Sequence, residues 1–342
     1  MDEPVEAGQP DPLVGRGAEL DDLDGLLASA AGREGAVVLL EGEAGIGRTR
    51  LVRALEHGAR MLDVELVVRS FPGPTAAEVD RLLDAPTPRP RAVVLDDVHL
   101  ADDASLEVLG RYAHAGPIPA TLLVLTERPV PHREAVQRMV VAWVRAGARN
   151  LELRPLSSGA TVELAELLVG HPVGPLLRGV LSTAGGNPRL VTAVVRAAEH
   201  AGALRWHDDG VVDLEGVGWQ GELDDAARAH LAYLEPGVLT LLSRAAVLGP
   251  SFVVPDLAAL ADEPLTDCWR TLRHALAAGV VAARGDRLVF RHDLVRTALY
   301  AGLDEATRRR LHVRAASTLG EAGAPPHVVA AHLERAQASR PA

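Results

Sequence analysis

Residues 42–49 read Gly-Glu-Ala-Gly-Ile-Gly-Arg-Thr, and this short stretch decides which fold the sequence predicts. It fits the phosphate-binding pattern G-x-x-x-x-G-K-S/T at every defined position except the lysine, where Arg48 stands instead. Glycines at these positions allow successive backbone N–H groups to turn toward a phosphate, and the N-terminus of the following helix adds positive potential. The stretch therefore predicts a P-loop in which Thr49 would offer its hydroxyl to Mg²⁺.

The segments on either side of the loop have the character that this motif requires. Residues 36–40, Ala-Val-Val-Leu-Leu, form a short apolar run rich in β-branched residues, which is typical of a buried parallel strand. After the loop, apolar side chains recur at helical spacing, at Leu51, Val52, Leu55 and Ala59. A strand, a glycine loop and a helix in succession form the context that supports a P-loop.

A second chemical signal lies in residues 91–97, Arg-Ala-Val-Val-Leu-Asp-Asp, where an apolar run leads straight into two carboxylates. In an open α/β sheet, ligands lie beyond the carboxyl ends of the strands, so a buried strand would deliver Asp96 to the site. We expect Asp96 to serve the Mg²⁺ shell and Asp97 to orient or activate the attacking water. The alternative is that these carboxylates cap a helix N-terminus.

Short apolar runs alternate with helical patterns over the first half of the chain. The predicted strands lie at residues 36–41, 64–69, 91–95, 121–126 and 150–153. This alternation is typical of a parallel, doubly wound sheet. We therefore expect an α/β fold, a P-loop NTPase with a parallel five-stranded sheet over residues 11–155, preceded by a disordered tail at residues 1–10.

Beyond the predicted sheet, the pattern becomes mostly helical. We expect a helical lid domain over residues 156–220, a winged-helix domain over 221–303 and C-terminal helices over 304–342. The winged-helix prediction depends on helical patterns around 225–248, 256–262 and 266–278 that are followed by a strand, a tight turn and a strand at 280–291.

Composition limits the partners that the chain can be expected to have. The formal net charge of −11 argues against nonspecific binding to nucleic acid or to an anionic membrane. One cysteine excludes an intrachain disulfide. The acidic N-terminus is unlike a signal peptide, and no apolar run approaches the roughly 18 residues of a membrane-spanning helix. We expect a cytoplasmic protein that contacts neither nucleic acid nor membrane.

Five fragments in a fixed order resemble one protein family. They are residues 13–16 (LVGR), the P-loop, residues 95–102 (LDDVHLAD), residues 186–188 (GNP) and residues 290–295 (FRHDLV). Together they resemble the ATPase part of STAND-class signal-transduction NTPases, which are AAA+-like P-loop ATPases. The resemblance is strongest to the large ATP-binding regulators of the LuxR type from high-GC bacteria, and it covers residues 11–335.

The resemblance implies a site for ATP or ADP with Mg²⁺. It implies that Val14 and Arg16 lie on the adenine and ribose side, and that Thr49 and Asp96 serve the metal. The P-loop would wrap the phosphates through Gly42, Gly45, Ile46, Gly47, Arg48, Thr49 and Arg50.

The resemblance also implies roles for three residues outside these motifs. Arg128 would sense the γ-phosphate, Pro188 would pack on the adenine from the lid, and His292 would touch the β-phosphate of ADP. Each residue has a simpler alternative. Arg128 could be a solvated arginine, Pro188 the first residue of a helix, and His292 a residue that only precedes a helix.

The resemblance implies a switch that is closed with ADP and open with ATP for assembly with a protein partner or with itself. Because Arg48 replaces the lysine, we expect nucleotide binding with slow or absent hydrolysis. The family's helical-repeat sensor and C-terminal helix-turn-helix are missing from this sequence, so we expect no direct transcription-factor activity. The alternatives are an active ATPase or phosphotransferase, and a nucleotide-free scaffold.

Overall fold

The computed structural model describes residues 13–85, 88–128, 133–216 and 218–338. The chain forms two compact units, Met1–Arg154 and Pro155–Ala342. The disordered tail expected at residues 1–10 lies outside the described residues. Within the described ranges, no helix combines the length and the apolar character needed to cross a lipid bilayer.

The first unit is a parallel sheet covered by helices. Its strands are β1 (Ala36–Gly42), β2 (Glu65–Ser70), β3 (Arg91–Asp96), β4 (Thr121–Glu127) and β5 (Arg149–Leu153). They lie in the order β2-β3-β4-β1-β5, with all neighbours parallel. The α/β class with a five-stranded parallel sheet is thus confirmed. The helices are α1 (Gly17–Ala31), α2 (Arg48–Met61), α3 (Ala76–Asp84), α4 (Asp103–Ala115) and α5 (Glu134–Arg145).

The central strands read as continuous apolar runs because both of their faces are buried. In β1, Val37 and Leu39 pack into a core with α3, α4 and α5. Val38 and Leu40 point to the opposite face and pack with α1 and α2. Successive side chains of a strand point to opposite faces, so a strand between two helical layers needs apolar residues at every position. This burial fixes where β1 ends and the loop begins.

The second unit is mainly helical and carries two small antiparallel sheets. Its elements are α6 (Ser158–Val169), α7 (Pro175–Ser182), α8 (Pro188–His200), β6 (Leu204–Trp206), β7 (Val212–Leu214), α9 (Gln220–His230), α10 (Pro236–Leu248), β8 (Ser251–Phe252), α11 (Val254–Ala261), α12 (Leu265–Ala277), β9 (Val281–Arg284), β10 (Arg287–Phe290), α13 (Asp293–Ala301), α14 (Glu305–Glu321) and α15 (Pro326–Ala338). Strands β6 and β7 pair with each other, and the second sheet has the order β8-β10-β9.

The helical pattern expected around residues 225–248 is two helices in the structure. Helix α9 ends at His230, and α10 begins at Pro236. Proline has no N–H to donate to the preceding turn, so it is tolerated in the first turn of a helix and interrupts a helix interior. Pro236 therefore starts a new helix.

Candidate functional site

The loop after β1 is shaped by glycines that have different tasks. Gly45 and Gly47 have φ angles of +76° and +108°, in the left-handed region that favours glycine. A Cβ on Gly42 would lie 2.6 Å from Cγ2 of Ile46, so close packing requires glycine there. Gly47 is the N-cap residue of α2, and the first N–H groups of this helix have no intrahelical acceptor. The loop therefore presents a helix N-terminus that can bind an anion.

Arg48, the residue that departs from the motif, is buried and tied to a carboxylate. Only 8% of its surface is exposed, and its Nη2 donates to Oδ1 of Asp97 at 2.9 Å. Among the described residues, its Nη1 has no hydrogen-bond partner. Burial lowers the pKa of Arg48, which Asp97 counteracts, although a guanidinium stays charged in proteins. Arg48 therefore keeps donor capacity while its other arm is engaged.

Asp97 lies at the centre of a group of basic side chains. Besides the contact with Arg48, Oδ2 of Asp97 lies 3.7 Å from Nη2 of Arg128, and Oδ1 lies 3.9 Å from Nδ1 of His99. Its backbone is left-handed, with φ 55° and ψ 46°, which turns the chain sharply after β3. The structure thus brings together three residues predicted from separate parts of the sequence: Arg48, Asp97 and Arg128.

Thr126 connects the two acidic residues to the neighbouring strand. This fully buried residue of β4 accepts a hydrogen bond from the Asp97 N–H at 2.9 Å, and its hydroxyl donates to Oδ1 of Asp96. The Thr126 hydroxyl thus fixes the end of β3 as both a hydrogen-bond acceptor and a hydrogen-bond donor. Thr126 was not predicted as part of the site. The available signal was its place near the end of a buried strand, where a polar residue needs a partner.

Glu127 is a second residue that was not predicted from the sequence. It is 5% exposed, and it lies opposite Glu41 in the register of β1 and β4. Burial, with the charge of Glu41 added, raises the pKa of Glu127 to about 7, while Arg48 opposes the shift. A carboxyl group that titrates near neutrality lies among these charged side chains, which is a feature of functional sites.

The oxygen ligands expected for Mg²⁺ suit a hard cation. Thr49 is exposed in the first turn of α2, and Asp96 is half-buried at the end of β3. Mg²⁺ is usually bound by one or two carboxylates together with substrate phosphates and water. Within the described ranges, no cluster of three or more His, Cys, Asp or Glu residues could hold a metal by itself. The oxygen atoms of Thr49 and Asp96 therefore fit a hard divalent cation such as Mg²⁺.

Arg16 reaches the P-loop itself. Its side chain is buried, donates through Nη2 to the carbonyl of Ile46 at 3.1 Å and pairs through Nη1 with Oε1 of Glu19 at 3.0 Å. Val14 is half-buried in the turn that precedes it. The contacts of Arg16 are thus with the loop backbone and with α1. The adenine-side roles implied for Val14 and Arg16 stay predictions.

Pro188 and His292 both belong to the second unit, where they stand at helix starts. Pro188 opens α8 behind Asn187, whose buried side chain accepts hydrogen bonds from the first N–H groups of that helix. His292 precedes α13 and is 3% exposed. A Cβ on Gly185 would collide with its Nδ1. Within the second unit, each residue therefore has a structural task, and their nucleotide contacts stay predictions.

Comparison with known proteins identifies the fold but no family. No protein-family profile matches the sequence, and no curated protein matches it significantly. The ORC2 protein of Aeropyrum pernix, solved in complexes with ADPNP and ADP, is similar in structure, with a TM-score of 0.53. The two sequences are 17% identical, and the match covers 86% of this chain and 96% of the ORC2 chain. A Walker-type ATPase of Pyrococcus abyssi gives a TM-score of 0.57 and 13% identity over 84% of this chain and 96% of that one. The chain thus has the fold of P-loop ATPases.

Proposed function

We propose that this chain binds an adenine nucleotide with Mg²⁺ at its P-loop, hydrolyses it slowly and acts as a STAND-type regulatory switch. The observation that carries the proposal is the 2.9 Å ion pair between Arg48 and Asp97. It joins the cation of the loop to the carboxylate expected to orient the attacking water. The nucleotide and metal follow from the loop, from the fold and from the oxygen ligands Thr49 and Asp96.

Binding is supported by the parts of the site that do not depend on Arg48. The left-handed glycines and the first N–H groups of α2, which have no acceptor within the helix, supply much of the interaction with a phosphate chain. The Nη1 group of Arg48, without a partner among the described residues, can add a charge-assisted hydrogen bond to a phosphate oxygen.

Slow hydrolysis follows from the competition between the phosphates and Asp97 for Arg48. If Arg48 keeps its bond to Asp97, the developing charge on the γ-phosphate is less well neutralised. If Arg48 leaves Asp97, it gives up a charged hydrogen bond worth about 1.5–3 kcal/mol, or roughly one to two orders of magnitude in rate. Lysine is a compact charge on a flexible stem and does not impose the same fork geometry on its partner.

The switch is supported by the element order of the second unit. Helix α10, strand β8, helices α11 and α12 and the hairpin β9–β10 follow one another in the order of a winged helix, with β8 pairing to the outer side of β10. Helices α6 to α8 precede them as the proposed lid. In such a switch, nucleotide state changes the contacts of these elements, and the output is association with a protein partner or with a second copy in the cytoplasm.

The test combines nucleotide binding with phosphate release. We expect the wild-type protein to bind ADP and ATP in the presence of Mg²⁺ and to release phosphate slowly. Arg48→Lys should raise turnover about tenfold or more, because it removes the fork that engages Asp97. Arg53→Lys is the matched control, since Arg53 is exposed on the same helix.

Each alternative reading has its own outcome in this test. Rapid phosphate release by the wild-type protein would support an active ATPase. No nucleotide binding would support a scaffold. An Arg48→Lys variant with unchanged turnover would show that the Arg48–Asp97 pair does not limit hydrolysis.

A further inference from the structure

Arg16 is a charged side chain in the buried interior, and one of its contacts is with the backbone of the P-loop. We infer that Arg16 is a positioning residue that fixes the peptide plane between Ile46 and Gly47, so that the Gly47 N–H faces the phosphates. This inference rests on the proposed nucleotide site and names a residue that prepares it.

Arg16 is held in place by its own helix. It is 5% exposed and stands at the N-cap of α1, after a turn in which Gly15 has a φ angle of +65°. Glu19, in the first turn of the same helix, binds one arm of the guanidinium at 3.0 Å. A buried charge is stable only when it is paired and hydrogen-bonded. The pair therefore aims the other arm at a fixed point.

The other arm of the Arg16 guanidinium meets a backbone carbonyl of the P-loop. The Ile46 oxygen accepts from Nη2 of Arg16 at 3.1 Å. A trans peptide is planar, so its C=O and N–H point in opposite directions. A carbonyl that is held toward Arg16 therefore turns the N–H of Gly47 away from Arg16 and toward the other side of the loop.

The residue that follows this carbonyl is a glycine, with a φ angle of +108°. Gly47 has no Cβ, and among the described residues, its chain neighbours and its own helix backbone aside, no atom lies within 4 Å of where a Cβ would be. A glycine can rotate its peptide planes at low cost. Without Arg16, the Gly47 N–H would therefore lose its preferred direction, and phosphate binding would have to restore it.

The experiment compares ligands that share only their phosphates. Titration calorimetry measures the affinities for ATP, ADP and inorganic pyrophosphate of wild-type protein and of Arg16→Met, Arg16→Lys and Glu19→Gln variants. Arg16→Met should lower the affinity for all three ligands by the same factor, about ten- to a hundredfold. The reason is the loss of a charge-assisted hydrogen bond that orients the loop. Arg16→Lys, which keeps one donor, should recover part of the loss. Arg53→Met is the exposed control.

Hydrogen exchange in the nucleotide-free protein supplies a second readout of the same loop. Arg16→Met should speed the exchange of the amides of residues 43–49, while Arg53→Met should not. If Arg16→Met fails to fold, as judged by thermal unfolding, Glu19→Gln carries the test, since it loosens the guanidinium without removing it.

Three outcomes separate the inference from the proposed function. If ATP and ADP bind more weakly to Arg16→Met but pyrophosphate does not, Arg16 contacts the nucleoside and the inference is wrong. If exchange in the loop is unchanged, the inference is wrong as well. If wild-type protein binds none of the ligands, the proposed function fails, and the exchange experiment alone then decides whether Arg16 holds the loop.

Discussion

At the scale of single residues, the structure brings three of the residues predicted for the site close to one another, and their role in binding a nucleotide stays a prediction. Arg48, Asp97 and Arg128 were each expected in a nucleotide site, and the structure places the guanidinium groups of Arg48 and Arg128 within 4 Å of the Asp97 carboxylate. The pairing itself depends on the left-handed turn at Asp97 and on Thr126, which no local pattern indicated. A motif specifies the loop and the strand end, while distances between them depend on packing.

Removing the charge of Asp97 should separate binding from hydrolysis. In Asp97→Asn, Arg48 loses its anionic partner and becomes available to phosphate oxygens. We expect several-fold tighter binding of ATP and ADP together with a loss of residual phosphate release. Binding is measured by calorimetry and release by a phosphate assay. Asp21→Asn, at an exposed position of α1, is the control, and weaker nucleotide binding by Asp97→Asn would contradict the account.

At the scale of elements, long buried strands were predictable and short or interrupted elements were not. Strand β4 is buried at every position, which gives an unmistakable apolar run. Strand β8 has two residues and is defined only by its pairing with β10, so nothing in its own sequence reveals it. The strand order β2-β3-β4-β1-β5 could likewise not be predicted from the sequence. Periodicity shows which side chains of an element are buried, but it does not show which strand lies beside it.

The turn before α8 offers a test of close packing. Gly185 and Gly202 have similar φ angles, +57° and +62°, but only Gly185 has close neighbours, since a Cβ added there would collide with Nδ1 of His292. Alanine at Gly202 should cost about 1–2 kcal/mol through its backbone conformation. Alanine at Gly185 should cost about 1–3 kcal/mol more through overpacking against His292.

Urea unfolding of the two variants gives the comparison directly. Equal losses of unfolding free energy in Gly185→Ala and Gly202→Ala would mean that His292 is not packed against this turn. In that case, the burial of His292 would need another explanation.

At the scale of the whole molecule, the prediction of an α/β unit followed by a mainly helical region agrees with the fold. The net charge and the single cysteine limited the class of protein, but they carry no information on side-chain networks. One such network joins α13, α14 and α15. Tyr300 is hydrogen-bonded to Nε2 of His312 at 2.8 Å, and Nδ1 of His312 lies 2.9 Å from Nδ1 of His332.

This network should make the protein sensitive to acid. Burial, with His332, Arg335 and Arg308 nearby, lowers the pKa of His312 to about 4, and burial also lowers that of His332. As pH falls, the unfolded chain therefore binds protons before the folded protein does. The contribution of the neutral histidines to the free energy of unfolding is present above pH 6.5 and is lost as pH falls toward 4. The loss is on the order of 2–3 kcal/mol. The raised pKa of Glu127 has the opposite effect on the pH dependence of stability. Glu127 is present in both the wild-type protein and the variant compared below, so its effect cancels.

The comparison is between wild-type protein and His312→Gln, which keeps polarity without titrating. Urea unfolding at pH values from 4 to 7 should show a steeper pH dependence in the wild-type protein. Parallel curves would contradict the buried, neutral state of His312.

If the loop of residues 42–49 holds the phosphates of a nucleotide, a nucleotide and pyrophosphate must compete for it. ADP is titrated into nucleotide-free protein with Mg²⁺ in a calorimeter, and the titration is repeated with saturating inorganic pyrophosphate. We expect saturable binding of ADP at one site, and we expect pyrophosphate to abolish it. No saturable binding, or binding that pyrophosphate leaves unchanged, would contradict phosphate binding by this loop.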